Sequence, residues 1–146
     1  MTPKAIKQGT IPELTAAVAL GTRSDQRKLL RAIRNINRSL VESRWTSDST
    51  LDPETGVLVF RRQREAVIRL LALSPAVSEA GETAVRQLIV ADRELARVAI
   101  DAALTKGKGI NRAQLWFERG DTAYEGGDLW LAFRCYSMAW YHATQY

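Results

Sequence analysis

Four arginines, Arg27, Arg31, Arg34 and Arg38, advance by 4, 3 and 4 residues and therefore share one face of a helix, with Lys28 beside them. Guanidinium forks bind phosphates bidentately, so such a stripe has the chemistry to track a nucleic-acid backbone or another polyanion. Between Arg23 and Arg44 seven basic residues stand against two acids, Asp25 and Glu42, a local balance of +5 that equals the net charge of the whole chain. Arg61, Arg62, Arg64 and Arg69 follow in the next helical segment. The competing reading is a solvated face whose arginines pair with acids on other helices.

The other reactive side chains are sparse. With one His and one Cys, the chain has neither a multi-His/Cys metal site nor an intramolecular disulfide framework. Cys135 and His142, seven apart on one helix, are separated by about 10.5 Å of axial rise. A thiol–imidazole dyad needs contact near about 3 Å, so Cys135 reads as a small buried hydrophobe and His142 as a last-turn residue. The loop from Asp48 to Glu54 spaces oxygen ligands two apart, as a calcium loop would, without the glycine and the distant glutamate of an EF-hand. Asp48 and Asp52 are therefore read as cap and turn residues. No P-loop, dinucleotide fingerprint, nucleophile elbow or zinc spacing is present. No catalytic, metal or cofactor site and no small-molecule substrate is expected.

Asp92 falls where a helical stripe wants an apolar residue, and a buried carboxylate must be paired or hydrogen-bonded. The expected partner is an arginine, or a Trp or Tyr donor, on a facing helix, fixing the register of the bundle. Aromatic residues crowd the end of the chain: of the eleven Phe, Trp and Tyr, only Trp45 and Phe60 precede Trp116. One helical hairpin cannot bury nine aromatics on its inner face. Trp130, Tyr141 and Tyr146 are the candidates to face outward as a protein contact surface, against the alternative of packing on earlier helices.

Helical periodicity positions all of these residues. A short first helix is expected from the Thr10–Glu13 capping signal, with Pro12 in its first turn, to Leu20. A second runs from Asp25, capped by Ser24, to Ser43 and buries Leu29, Ile33, Ile36 and Leu40. The third, Pro53 to Leu73 with Asp52 as its cap, buries Val59 or Phe60, Val67, Leu70 and Leu71. A fourth, Thr83 to Leu104, buries Val85, Leu88, Leu95, Ala99 and Ala102. Asn111 caps a fifth reaching Tyr124, and a sixth runs from Leu129 to Thr144 with Ala132, Tyr136, Ala139 and Trp140 inside. At 46% hydrophobic and 25% charged residues the composition is that of an ordinary globular domain and excludes a disordered or collagen-like chain.

From Leu115 to Ala143 the sequence resembles one tetratricopeptide helical hairpin, with Trp116, Gly120, Ala132, Tyr136 and Ala139 at the repeat's spacings and Thr144 where the repeat's closing proline stands. Small Gly120 and Ala132 let two helices approach, and aromatics fill the space beside them. No second copy lies upstream. A wider resemblance covers Leu29 to Ala143, carried by Leu40, Trp45, Leu51-Asp52-Pro53, Gly56, Val59-Phe60, Ala66-Val67, Ala91-Asp92, Leu95-Ala96, Ala99-Ile100, Gly120-Asp121, Gly127, Tyr136, Ala139-Trp140 and Ala143. In these positions the chain is similar to a helical module of no established activity that recurs, often near the C-terminus, in large secreted bacterial and archaeal proteins. The resemblance implies a structural or interaction module rather than a catalyst, in an extracytoplasmic setting.

The expected fold is all-α: one domain, an antiparallel bundle of five to six helices, with an N-terminal arm and short helix over 1–22, a bundle over 23–110 and a tetratricopeptide-like hairpin over 111–146 packed on it. No stretch is long and apolar enough to span a bilayer, and the first twenty residues, interrupted by Lys7, Gly9, Pro12 and Glu13, lack a signal peptide's apolar core. The expected function is non-catalytic: association with another protein chain or domain, or structural support. The alternative is a small basic accessory protein that binds nucleic acid through the arginine helix.

Overall fold

In the computed structural model, which describes residues 1–145, Thr2 is extended and its hydroxyl accepts the Ala5 amide, starting α1 (Pro3–Val18) well before the Thr10 signal. The expected N-terminal arm is thus helical. Pro12 lies inside α1, where it has no amide hydrogen to give the Gln8 carbonyl, and Gln8 is an exposed residue. Thr10 is no cap but a buried residue whose hydroxyl donates to the Lys7 carbonyl.

Helix α2 (Arg23–Ser39) is capped by Thr22, not Ser24: the Thr22 hydroxyl accepts the Asp25 amide while Asp25 accepts the Thr22 amide, a reciprocal capping box. Asp25 also accepts the Ser74 amide at 3.0 Å and the Ser74 hydroxyl at 2.5 Å, so it ties the start of α2 to the loop before α4. The Ser74 hydroxyl and amide, followed by the Thr22 bonds, hold this carboxyl far below the usual carboxylate range, against the upward push of burial. A carboxylate depressed in the folded state stabilises fully above its unfolded value, about 3.9, and loses that contribution as pH falls toward the folded value. Asp25→Asn is therefore expected to flatten the acid limb of the stability–pH curve below about pH 5. Thermal melts from pH 2 to 7 test this, and an unchanged acid limb contradicts it.

α2 ends earlier than its polar pattern suggests because the chain turns at Glu42–Arg44 and the Trp45 indole donates to the Ser39 carbonyl at 2.9 Å, satisfying an orphan of the helix end. A small hairpin absent from the sequence reading follows: β1 (Trp45–Ser47) pairs antiparallel with β2 (Thr50–Leu51), and the Lys4 amide donates to Asp48 at its tip. Asp52 does not cap a helix directly. Its Oδ1 accepts the Glu54 and Thr55 amides, making a turn from which α3 (Val57–Leu70) starts four residues later than Pro53.

Pro75 occupies the first position of α4 (Pro75–Thr105), where its missing amide hydrogen costs nothing. The helix thus begins well before Thr83 and contains Gly81, where a Cβ would stand 2.7 Å from the Leu70 carbonyl oxygen. Helices α5 (Asn111–Glu125) and α6 (Leu129–Thr144) are joined by a tight glycine turn, with Asp128 accepting the Leu131 amide.

The result is an all-α bundle. Central α4 touches α1, α3, α5 and α6; α2 packs on α1 and α3; and α5 pairs with α6. One core cluster runs from Leu14 to Ala143 and includes Leu29, Ile36, Val67, Leu88, Leu95 and Trp140. Leu71 and Ala102, expected inside, are exposed, while Ile33, Leu40 and Ala99 are half-buried at the edges of their stripes. Among the described residues no helix is long and apolar enough to cross a membrane.

Candidate functional site

The arginine stripe of α2 lies open on the molecule. Arg27, Arg31, Arg34 and Arg38 are all exposed, because Leu29, Ala32 and Ile36 turn the opposite side of the helix into the core. Lys28 leaves the set: its Nζ donates to the Ala72 carbonyl at 2.8 Å and so serves the C-terminal end of α3. Helix α3 packs on α2 and carries exposed Arg61 and Arg64, the latter 5.9 Å from the Trp130 ring centre on α6. Arg44 closes the far end, its guanidinium donating to the Arg38 carbonyl.

Charge pairing divides the molecule. On α4, Arg86 pairs with Glu82, Arg93 with Asp121 and Arg97 with both Glu94 and Asp101. Among the described residues Arg27, Arg31, Arg34, Arg38, Arg61 and Arg64 form no ion pair, and of the α3 arginines Arg69 has one, with Glu65. The idea that the stripe is neutralised by acids of other helices is therefore not what the fold presents. From Arg27 to Arg38 the row is about 16 Å long at the rise of an α-helix.

A second polar group lines a cleft of about 210 Å³ between α4, α5 and α6. Arg93 holds Asp121 with two bonds, at 2.8 and 3.1 Å, and lies 4.7 Å from the centre of the Phe117 ring. The Tyr136 hydroxyl donates to the same carboxylate. Burial, followed by the adjacent Asp121 carboxylate, pushes the Tyr136 phenol up. Burial pushes Asp121 up too, yet the Arg93 and Tyr136 bonds bring it to a net value below the usual carboxylate range. Each polar group here is turned onto another. The arrangement locks α5 and α6 to α4, and Tyr136 lies directly over Gly120.

Asp92 is fully buried, as its place in the stripe demands, but its partners are neither arginine nor an aromatic donor. Its Oδ1 accepts from Lys7 Nζ at 2.8 Å and its Oδ2 from the Gln63 side-chain amide, while Lys7 also donates to the Gln63 oxygen. Burial pushes the Asp92 carboxyl up against the opposing pull of Lys7 and then Gln63. Lys7 and Gln63 are the two site residues that sequence reasoning missed. Gln63 lies between Val59 and Val67 on the apolar stripe of α3, the same kind of signal that exposed Asp92.

The aromatic group is mostly interior. Trp140 packs on Phe60 and over Gly56, Phe117 meets Tyr136 edge-on, and Trp130 is half-buried between Phe133 and Arg64. Of the outward candidates among the described residues Tyr141 is exposed, at 42%, and Trp130 is not; Tyr146 lies outside the described residues. Among the described residues no group of three His, Cys, Asp or Glu is placed to hold a metal ion. No family model, no curated protein sequence and no solved structure matches the chain.

Proposed function

We propose that the chain is a non-catalytic binding module whose working surface is the arginine face of α2 and α3, and that its partner is a phosphate-bearing polymer such as a nucleic-acid strand. The observation that carries this reading is the row of exposed arginines that form no ion pair among the described residues, in contrast to α4, whose arginines Arg86, Arg93 and Arg97 are all paired. Unneutralised guanidinium groups along one helix repel one another, and an anion spanning the row relieves that repulsion while accepting bidentate bonds. The resemblance to modules of large secreted proteins implies a binding rather than a catalytic role and an extracytoplasmic setting.

Titration against a labelled random-sequence oligonucleotide tests the reading. If four arginines each displace a counterion, affinity falls by roughly a hundredfold between about 50 and 200 mM salt. The fourfold variant Arg27→Gln, Arg31→Gln, Arg34→Gln, Arg38→Gln is expected to keep its melting temperature and lose this binding. Retained, salt-insensitive binding in the variant contradicts the assignment.

A second reading, association with another protein chain through the tetratricopeptide-like hairpin, is favoured by exposed Leu131 and Tyr141 on α6. It predicts a salt-tolerant complex weakened by Tyr141→Ala and untouched by the arginine variant.

A further inference from the structure

Helices α1, α3 and α4 meet at a closed polar site whose three side chains, Lys7, Gln63 and Asp92, have no solvent exposure. The connectivity is specific. One carboxyl group bridges two nitrogens, accepting from the Lys7 amine at Oδ1 and from the Gln63 amide nitrogen at Oδ2. The same amine lies against Oε1 of that amide, and the Phe60 ring centre is 6.0 Å from it. An amine, an amide carbonyl and an acid–base group touching both the attacking and the departing nitrogen are the components of acyl transfer.

We propose that this site cross-links the chain to itself: Lys7 Nζ attacks Gln63 Cδ, and an isopeptide amide forms between α1 and α3 as the Gln63 side-chain nitrogen leaves as ammonia. A proton first passes within the ion pair, leaving a neutral amine and a carboxylic acid. The Nζ lone pair then forms the new C–N bond. The first proton arrives on the oxygen facing Nζ, and a half-turn of the carboxyl about Cβ–Cγ brings it to face Nε2; Asp92 then takes the remaining transferable proton from Nζ on its bare oxygen and delivers its own to Nε2. The Cδ–Nε2 bond breaks and Asp92 ends as the acid it was. Amine plus carboxamide give a secondary amide plus ammonia, with no oxidant or reductant involved.

Three physical features favour the step. Burial pushes the Asp92 carboxyl up, toward the acid form that the shuttle needs. A buried ammonium–carboxylate pair carries a desolvation penalty of several kcal/mol per ion, and the product holds no charge. Fixed contact removes the entropic cost of bringing amine and amide together, and the closed site keeps out the water that would hydrolyse the product. The roles of the two acyl groups do not interchange. If Asp92 were attacked, only the Gln63 carboxamide would remain beside the reacting atoms, and it has no acidic proton to give at neutral pH.

High-resolution intact mass of the purified, denatured full chain tests this without any variant. The expected mass is that of the sequence less one ammonia, with a branched peptide joining the Lys7 and Gln63 segments after proteolysis. A mass equal to that of the sequence, with Lys7 free to acylation after denaturation, overturns the proposal. A loss of one water, with the branch at Asp92, overturns the assignment of the electrophile. Asp92→Asn, checked as folded by circular dichroism, is expected to remain uncross-linked; a branch in that variant overturns the proton-shuttle role.

Discussion

Lys7→Met is expected to lower the stability of the chain by about 3–5 kcal/mol in urea unfolding, the cost of leaving one partner of a buried ion pair uncompensated. The reason lies in the site's enclosure. Asp92 has no water to turn to, and with Lys7 gone it keeps only the Gln63 amide. Replacing all three polar residues, Lys7→Met with Gln63→Met and Asp92→Leu, removes every unsatisfied group and is expected to recover most of that loss, because apolar residues of similar volume replace buried ion pairs with little penalty. A single substitution costing no more than about 0.5 kcal/mol, the range of ordinary surface changes, contradicts the enclosure. In a chain that carries the cross-link inferred above the ion pair is already gone, and Lys7→Met removes the tie in its place. A covalent tie from residue 7 to residue 63 constrains the unfolded chain as a disulfide would, by about 4 kcal/mol in the chain-entropy account. The triple variant repairs the packing but not the tie, so its remaining deficit measures the tie.

Gly120→Leu is the second large effect, expected to cost about 3 kcal/mol or more through overpacking. Any Cβ at this position would stand 2.6 Å from Tyr136 Cε1 and 2.8 Å from Cδ1. The tyrosine cannot swing aside, since it is almost fully buried and its hydroxyl is held by Asp121, which Arg93 holds in turn. Helices α5 and α6 must therefore separate. Gly9→Ala supplies the contrast within the same molecule. A Cβ there meets nothing within 4 Å and the position is inside α1, so the change is expected to stabilise by about 0.5–1 kcal/mol. Thermal melts of the two variants should move in opposite directions; parallel shifts would contradict the packing described for Gly120.

The all-α class and α6, from Leu129 to Thr144, are legible in the sequence because their apolar spacing is long and regular. The arginine stripe is legible for the same reason. Asp92 announces itself as a polar residue on an apolar stripe, but its partner is hidden by a local error. With the first helix begun at Thr10, Lys7 falls outside any element and has no face to occupy. Once α1 starts at Pro3, Lys7 and Leu14 lie seven apart on one side, with Thr10 and Ala17 beside them. The hairpin of β1 and β2 is illegible for a different reason, since strands of three and two residues are too short to show alternation. Its place is set by contacts outside the two strands: the Lys4 amide on Asp48, from the far end of the chain, and the Trp45 indole on Ser39 at the end of α2.

The separation of 85 residues between Lys7 and Asp92 bears on how the molecule is made. On a ribosome adding about 5–20 residues per second, α1 emerges roughly 4–17 s before the part of α4 that it needs. During that interval Lys7 is an ordinary hydrated cation: α2, the neighbour in sequence, packs on α1 but does not supply the Asp92 carboxylate. The α5 and α6 hairpin, by contrast, forms from neighbours in the chain. The α1–α4 packing therefore waits on the synthesis of α4, and a molecule that grips α1 in the nascent chain holds the Lys7–Asp92 site open.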